Sequence, residues 1–304
     1  MRQVLILSAL LMLLGCARKS ETGIVVDHAF PSLVPSDTTL LAGFRLDQVK
    51  TTPLYRKYAS QINLAQLNEF SRRTGLDPLH DIGSVLIAYD GAKSIAIASG
   101  HFSLDQVMPK LQGAGASRTT YKKYTLIASG SDAAVFVNPG LAVAGPESAL
   151  RSLIDSRDHS DTGIPQELET RLRSLPKDDQ IFVVSSTGIP LSAFPSRSDV
   201  QSSLSNIIGF INGLTAGLAV DEGVHLSAEI DCISDAGAKR VNDALRGAIG
   251  LARLTTKDNE LDLLRLYDSV HVEQQQSVVR VHADVAADLI GKLLEVFPQL
   301  RSLK

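Results

Sequence analysis

Short apolar segments recur in pairs along this chain, joined by turn residues and followed by a stretch of helical period. At 85–89 and 94–98 two such runs flank Asp90-Gly91, a strong hairpin signal. Runs at 124–128 and 133–137 flank Ser129-Gly130-Ser131-Asp132, and a third at 141–144 follows Asn138-Pro139-Gly140. Residues 225–232 alternate cleanly. Leu226, Ala228, Ile230 and Cys232 fall on one side; His225, Ser227, Glu229 and Asp231 fall on the other, as in a sheet with one wet face. Runs at 40–44, 180–185, 218–220, 270–273 and 277–283 complete the strands. Tight hairpins make antiparallel neighbours. The expected class is therefore α+β: mostly antiparallel sheets with helices packed on one face, in two related halves.

Helical segments lie between the hairpins. Residues 46–58 turn polar, with Pro53 placed to start a helix. Leu64, Leu67 and Phe70 recur at helical spacing until Gly75. Ser103 is placed to cap a helix carrying Leu104, Val107, Met108 and Leu111 on one face. Further helices are expected at 147–154, 167–175, 204–214, 235–254, 261–267 and 285–297. The long one at 235–254 has Val241, Ala244, Leu245, Ala248, Ile249 and Ala252 along a stripe. The polar stretch 192–205, with Pro195, reads as a mobile loop. Phe44-Arg-Leu-Asp-Gln-Val49 and Phe102-Ser-Leu-Asp-Gln-Val107 form a faint internal repeat.

The amino terminus has the parts of an export signal: Met1-Arg2, an apolar core at 4–14, and Leu13-Leu14-Gly15-Cys16. The core is too short for a membrane span, which needs about 20 apolar residues. The four residues ending at Cys16 resemble the lipobox of bacterial lipoproteins. That resemblance implies cleavage before Cys16, acyl chains on its sulfur and residence in the cell envelope. Ala17 in place of an aspartate leans towards the periplasmic face of the outer membrane. The domain expectation is a signal peptide at 1–15, a tether at 16–35 and α+β halves at 36–158 and 159–304.

Charge and motifs exclude more than they assign. The chain has 30 basic and 33 acidic side chains, and removal of Arg2 with the leader leaves 29 against 33, a net charge of −4. No basic field for nucleic acid results. No phosphate loop, dinucleotide fingerprint, nucleophile elbow or zinc helix is present, and no cofactor is expected. Cys232 falls on the apolar side of its strand, where a thiol acts as a small hydrophobe. The nearest approach to a metal site is His271 with Glu273 and His282 with Asp284: each pair shares a strand face and would meet across a hairpin. Most such strand faces are simply solvated.

Thr52-Pro-Leu-Tyr-Arg-Lys57, Thr74-Gly-Leu-Asp-Pro78 and Val143-Ala-Gly145 resemble a family of exported bacterial proteins without assigned chemistry. The resemblance implies a two-part α+β lipoprotein and carries over only the lipidated Cys16. The functional expectation is a non-enzymatic, membrane-tethered envelope protein with a binding or assembly role. Its partners would be the membrane, envelope proteins or a hydrophobic ligand. The alternatives are a cell-envelope hydrolase and a carrier of a lipid or other hydrophobic ligand, with the apolar run 207–218 as the carrier's wall.

Overall fold

A computed structural model describes residues 22–59, 65–189, 207–257 and 259–296. Its centre is one antiparallel sheet of twelve strands. These are β1 (Leu40–Arg45), β2 (Ile82–Tyr89), β3 (Ser94–Gly100), β4 (Ser117–Tyr121), β5 (Tyr124–Ser129) and β6 (Asp132–Asn138). They continue with β7 (Leu141–Pro146), β8 (Ile181–Ser185), β9 (Ile211–Val220), β10 (Gly223–Cys232), β11 (Val270–Gln275) and β12 (Val278–Ala286). Their order across the sheet is β11-β12-β10-β9-β8-β1-β2-β3-β7-β6-β5-β4.

The helices are α1 (Leu46–Thr51), α2 (Pro53–Tyr58), α3 (Ala65–Thr74), α4 (Pro78–Asp81), α5 (Leu104–Gly113) and α6 (Glu147–Asp158). After them come α7 (Gln166–Ser174), α8 (Asp235–Thr255), α9 (Leu261–Asp268) and α10 (Ala287–Val296). None of the described helices is long and apolar enough to cross a membrane.

The α+β expectation holds, and the sheet has two wings that meet where β1 pairs with β8. Each wing begins with a meander, β1-β2-β3 or β8-β9-β10. The chain then leaves through a helix, returns by hairpin, and pairs its last strand with the meander's third strand: β7 with β3, β12 with β10. The repeated hexapeptide does not distinguish the wings. Both copies sit at strand exits in the first wing, leading from β1 into α1 and from β3 into α5.

Alternation along the strands sends side chains to two faces. On the first face, Leu41, Leu86, Ile97, Val143, Leu126 and Phe182 bury against Leu150, Leu153 and Ile154 of α6 and Leu168 and Leu172 of α7. The spacing of these helix residues, three or four apart, is what lets one helical stripe cover a sheet. On the other face, Phe102, just before α5, and Val107 of α5 cover Ala98, Ala142 and Phe136. There α8 covers Ile230 and Val279, and α9 and α10 cover Val224 and Val285.

Several local expectations change. Residues 46–58 form two helices, because Pro53 forces Thr52 into extended backbone (ψ 148°). The Thr52 hydroxyl then caps α2 by accepting from the Tyr55 amide. Ser103 occupies the cap position of α5, but its side chain makes no capping bond. The helix expected at 204–214 is replaced from Ile211 onward by β9. Residues 22–34, expected within a tether, dock on the fold. Ile24, Phe30, Leu33 and Val34 are core residues, and the Gly23 and Ile24 amides donate to the Leu175 and Leu172 carbonyls at the end of α7.

Candidate functional site

Strand pairing aligns one transverse row of side chains on the second face. In the first wing it runs through cross-strand partners Arg118, Ile127, Ala134, Ala144, Ala96 and Ile87. It continues into the second wing through Ala42, Val183, Ala216, Ala228, Val281 and Val272. Everything inward of Arg118 is apolar, and half of the row is alanine. Side chains this short leave the floor low wherever a helix above it does not descend.

In the first wing the helices stand clear of that floor. A chamber of about 630 Å³ lies over Ile87, Ala96, Ala144, Ala134 and Ile127, with Phe70 and Thr74 of α3 and Leu111 of α5 among its walls. A second chamber of about 410 Å³ extends between α3 and α5, lined by Glu69, Phe70, Arg73, Leu111, Ala114 and Ala116. The two share Phe70, Thr74, Leu111, Ala116 and Ser129 and form one trough. Phe70 and Ala144 are left exposed in it. Gly75, with φ +77°, ends α3 close against α5, where a Cβ would lie 3.1–3.2 Å from Lys110 and Gln106. No histidine or cysteine is among the described residues lining the trough.

The β4–β5 hairpin at the edge of the sheet is fastened to α6 on the opposite face. Lys122 at the β4–β5 turn lies 2.6 Å from Asp155 and 2.8 Å from Asp158 of α6. The Tyr121 hydroxyl donates to Asp155, and the Arg151 guanidinium sits 4.5 Å from the Tyr121 ring centroid. Hydrogen bonds from Lys122 and Tyr121 hold the Asp155 carboxyl below the usual carboxylate range. Beyond the trough, a hollow of about 820 Å³ lies against Leu104, Met108, Ile127 and Phe136, with Asp105, Arg118 and Lys123 at its margin.

The histidines singled out by sequence lie elsewhere, on the wet face of the second wing. His271 is directly opposite His282, whereas Glu273 is opposite Arg280. Asp284 approaches two imidazoles, His225 Nδ1 at 2.6 Å and His282 Nε2 at 2.8 Å. His225 Nε2 also lies 3.3 Å from Asp221. The Asp284 contact raises the His225 pKa, and the His225 contact lowers that of Asp284. Among the described residues no group of three or more His, Cys, Asp and Glu is placed to hold a metal ion. Cys232 is buried, which pushes its thiol pKa up and suits a packing role. Cys16 lies outside the described residues.

Sequence reasoning missed the trough. It pointed to 207–218 as the wall of an apolar site, but the trough belongs to β2, β3 and β5–β7. The available signal was the abundance of alanine in strands, at 96, 134 and 144, where larger β-branched residues are usual.

No family model matches the chain, and no curated protein does. Solved structures do. Crystal form III of TP0453 superposes with a TM-score of 0.50 at 12% identity, covering 90% of this chain and 99% of that one. Crystal forms I and IV of the same protein give TM-scores of 0.47 and 0.48 at 12% and 11% identity, over 89% and 88% of this chain. At this identity the likeness concerns the fold, and across nearly its whole length the chain has the fold of TP0453.

Proposed function

We propose that this is a lipid-anchored protein of the bacterial envelope that holds an elongated apolar ligand in the trough. The observation that carries the reading is the alanine floor under α3 and α5: a narrow apolar channel built by register across five strands. A buried methylene contributes about 0.8 kcal/mol, so a half-buried chain gains roughly 0.4 kcal/mol per carbon. Shortening the ligand by four carbons then weakens binding about tenfold.

The anchor follows from the lipobox resemblance at Cys16, and the docked segment limits its reach. Five residues separate Cys16 from Thr22, six steps along the chain, and Thr22 bridges to Pro176 beside α7. At most about 3.5 Å per residue, that leash is roughly 20 Å long. The folded body would sit against its membrane rather than sample the periplasm. Cys16→Ala should leave the chain unprocessed or release it to the soluble fraction.

Ala144→Phe tests the trough. Ala144 is exposed on the floor, so the substitution fills the channel without disturbing the core. The mature chain should bind a fluorescent long-chain acyl probe, and the variant should lose at least about tenfold in affinity with an unchanged melting temperature. Equal binding by both proteins would reject the trough as the site. An assembly role would instead use the outer edges of β4 and β11, the end strands of the sheet. A cross-linked protein partner lost on substitution along those edges, with no acyl binding, would favour it.

A further inference from the structure

We propose that the trough's ligand is a single-chain anionic amphiphile, a long-chain fatty acid whose carboxylate is met by Arg118 and Arg73. This inference rests on the apolar-chain reading above and adds width, length and head group to it.

The floor is one row wide. On one side of it, Ala98, Ala142 and Phe136 are covered by α5. On the other, Ser94, Pro146, Asp132 and Ser129 form a more polar margin. Equivalent residues along a strand are about 7 Å apart, room for one hydrocarbon chain beside those neighbours and not for two.

The floor also sets a length. From β2 to β5 it crosses five strands, four intervals of about 4.8 Å, or roughly 19 Å. Carbon–carbon bonds of about 1.5 Å in a zigzag advance about 1.25 Å each, so an extended chain of about 15 carbons fills it.

The head group follows from charge. The row ends at Arg118, the cross-strand partner of Ile127 on the outermost strand. Arg73 lines the adjoining chamber. Both are exposed, and neither has a carboxylate partner among the described residues. Lys123 lies beside the same end, 5.5 Å from the Tyr124 ring centroid. Of the nearby carboxylates, Glu69 is paired with Arg72, Asp105 stands in the first turn of α5, and Asp132 lies on the polar margin. Guanidinium groups suit a carboxylate because they offer two parallel N–H donors.

The experiment is a calorimetric titration of the mature chain with palmitate, hexadecanol, decanoate and phosphatidylglycerol, repeated with the double variant Arg73→Gln/Arg118→Gln and with Ala144→Phe. Palmitate should bind about tenfold more tightly than hexadecanol, and decanoate should bind weakly. The double variant should lose the preference for palmitate and keep its affinity for hexadecanol. Equal binding of palmitate and hexadecanol, both blocked by Ala144→Phe, would overturn the head-group assignment and leave the trough standing. Tighter binding of phosphatidylglycerol than palmitate would overturn the single-chain assignment. Binding of none of the four would remove the trough reading itself.

Discussion

Replacing Asp179 by Asn should stabilise the protein at neutral pH and leave it unchanged near pH 4. Asp179 is 3% exposed, and its Oδ2 has no hydrogen-bond partner among the described residues. The carboxylate lies over β9 at Gly217, where a Cβ would come within van der Waals overlap of it. Burial, with a smaller push from Asp178 and a partial offset from Arg45, raises its pKa from the ordinary 3.8 to about 6. A carboxyl whose folded pKa exceeds its unfolded one contributes stability that is complete below the unfolded value and lost as pH rises through the folded value. The loss therefore develops between pH 3.8 and about 6 and is flat above pH 7. Two pKa units correspond to about 3 kcal/mol, and screening by solvent around Asp178 and Arg45 leaves roughly half of that. Arg45 donates to the backbone carbonyls of Lys177 and Asp179, so Asn keeps those bonds. Urea titrations of both proteins at half-unit steps from pH 4 to 8 provide the assay. The curves should coincide at the acid end and separate by about 1.5–3 kcal/mol at pH 7.5, or roughly 3–8 °C in Tm. Parallel curves, or a less stable variant at pH 7.5, would refute the argument that this buried charge is uncompensated.

Two further outcomes follow from the same geometry. Gly43→Ala should destabilise by about 2 kcal/mol or more in thermal melts, because its Cβ would lie 2.0 Å from the buried Phe182 ring on the neighbouring strand. The double variant Gly43→Ala/Phe182→Leu should recover part of that loss, and no recovery would point to backbone strain instead. His225 has its pKa raised by Asp284, so its contribution is complete below pH 6.5 and fades as pH rises through the folded value. Asp284 has a lowered pKa, so its contribution fades as pH falls through its folded value. His225→Gln should therefore cost most stability between about pH 4 and 6.5, and an NMR titration should find the His225 pKa above that of a free imidazole.

Much of the architecture can be read from local pattern. Asp90-Gly91 set a hairpin and the run 225–232 showed its two faces, because turn chemistry and two-residue alternation act over a few residues. Pro53 likewise reveals where a helix begins. The errors fall where distant residues decide. β9 carries Gly213, Gly217 and alanines in an apolar run, and such a run does not separate strand from helix by period alone. Its glycines make sense only in the fold: Arg171 passes over Gly213 to reach Asp231 at 2.6 Å, and Asp179 covers Gly217. The docking of residues 22–34 was hidden for a similar reason, since its partners lie at 172–176 and in the first-face core.

The one-dimensional chain thus determined an α+β protein, its hairpins and its helical stripes, and raised the expectation of an anchor at Cys16. It could not determine the trough. Ile87, Ala96, Ala134 and Ala144 become one floor only when β3 pairs with β7 across more than forty residues of intervening chain and in a single register. Shifting one strand by one position would turn its side chains to the opposite face. Local propensity does not encode that alignment; burial of both sheet faces under α3 and α5–α8 selects it.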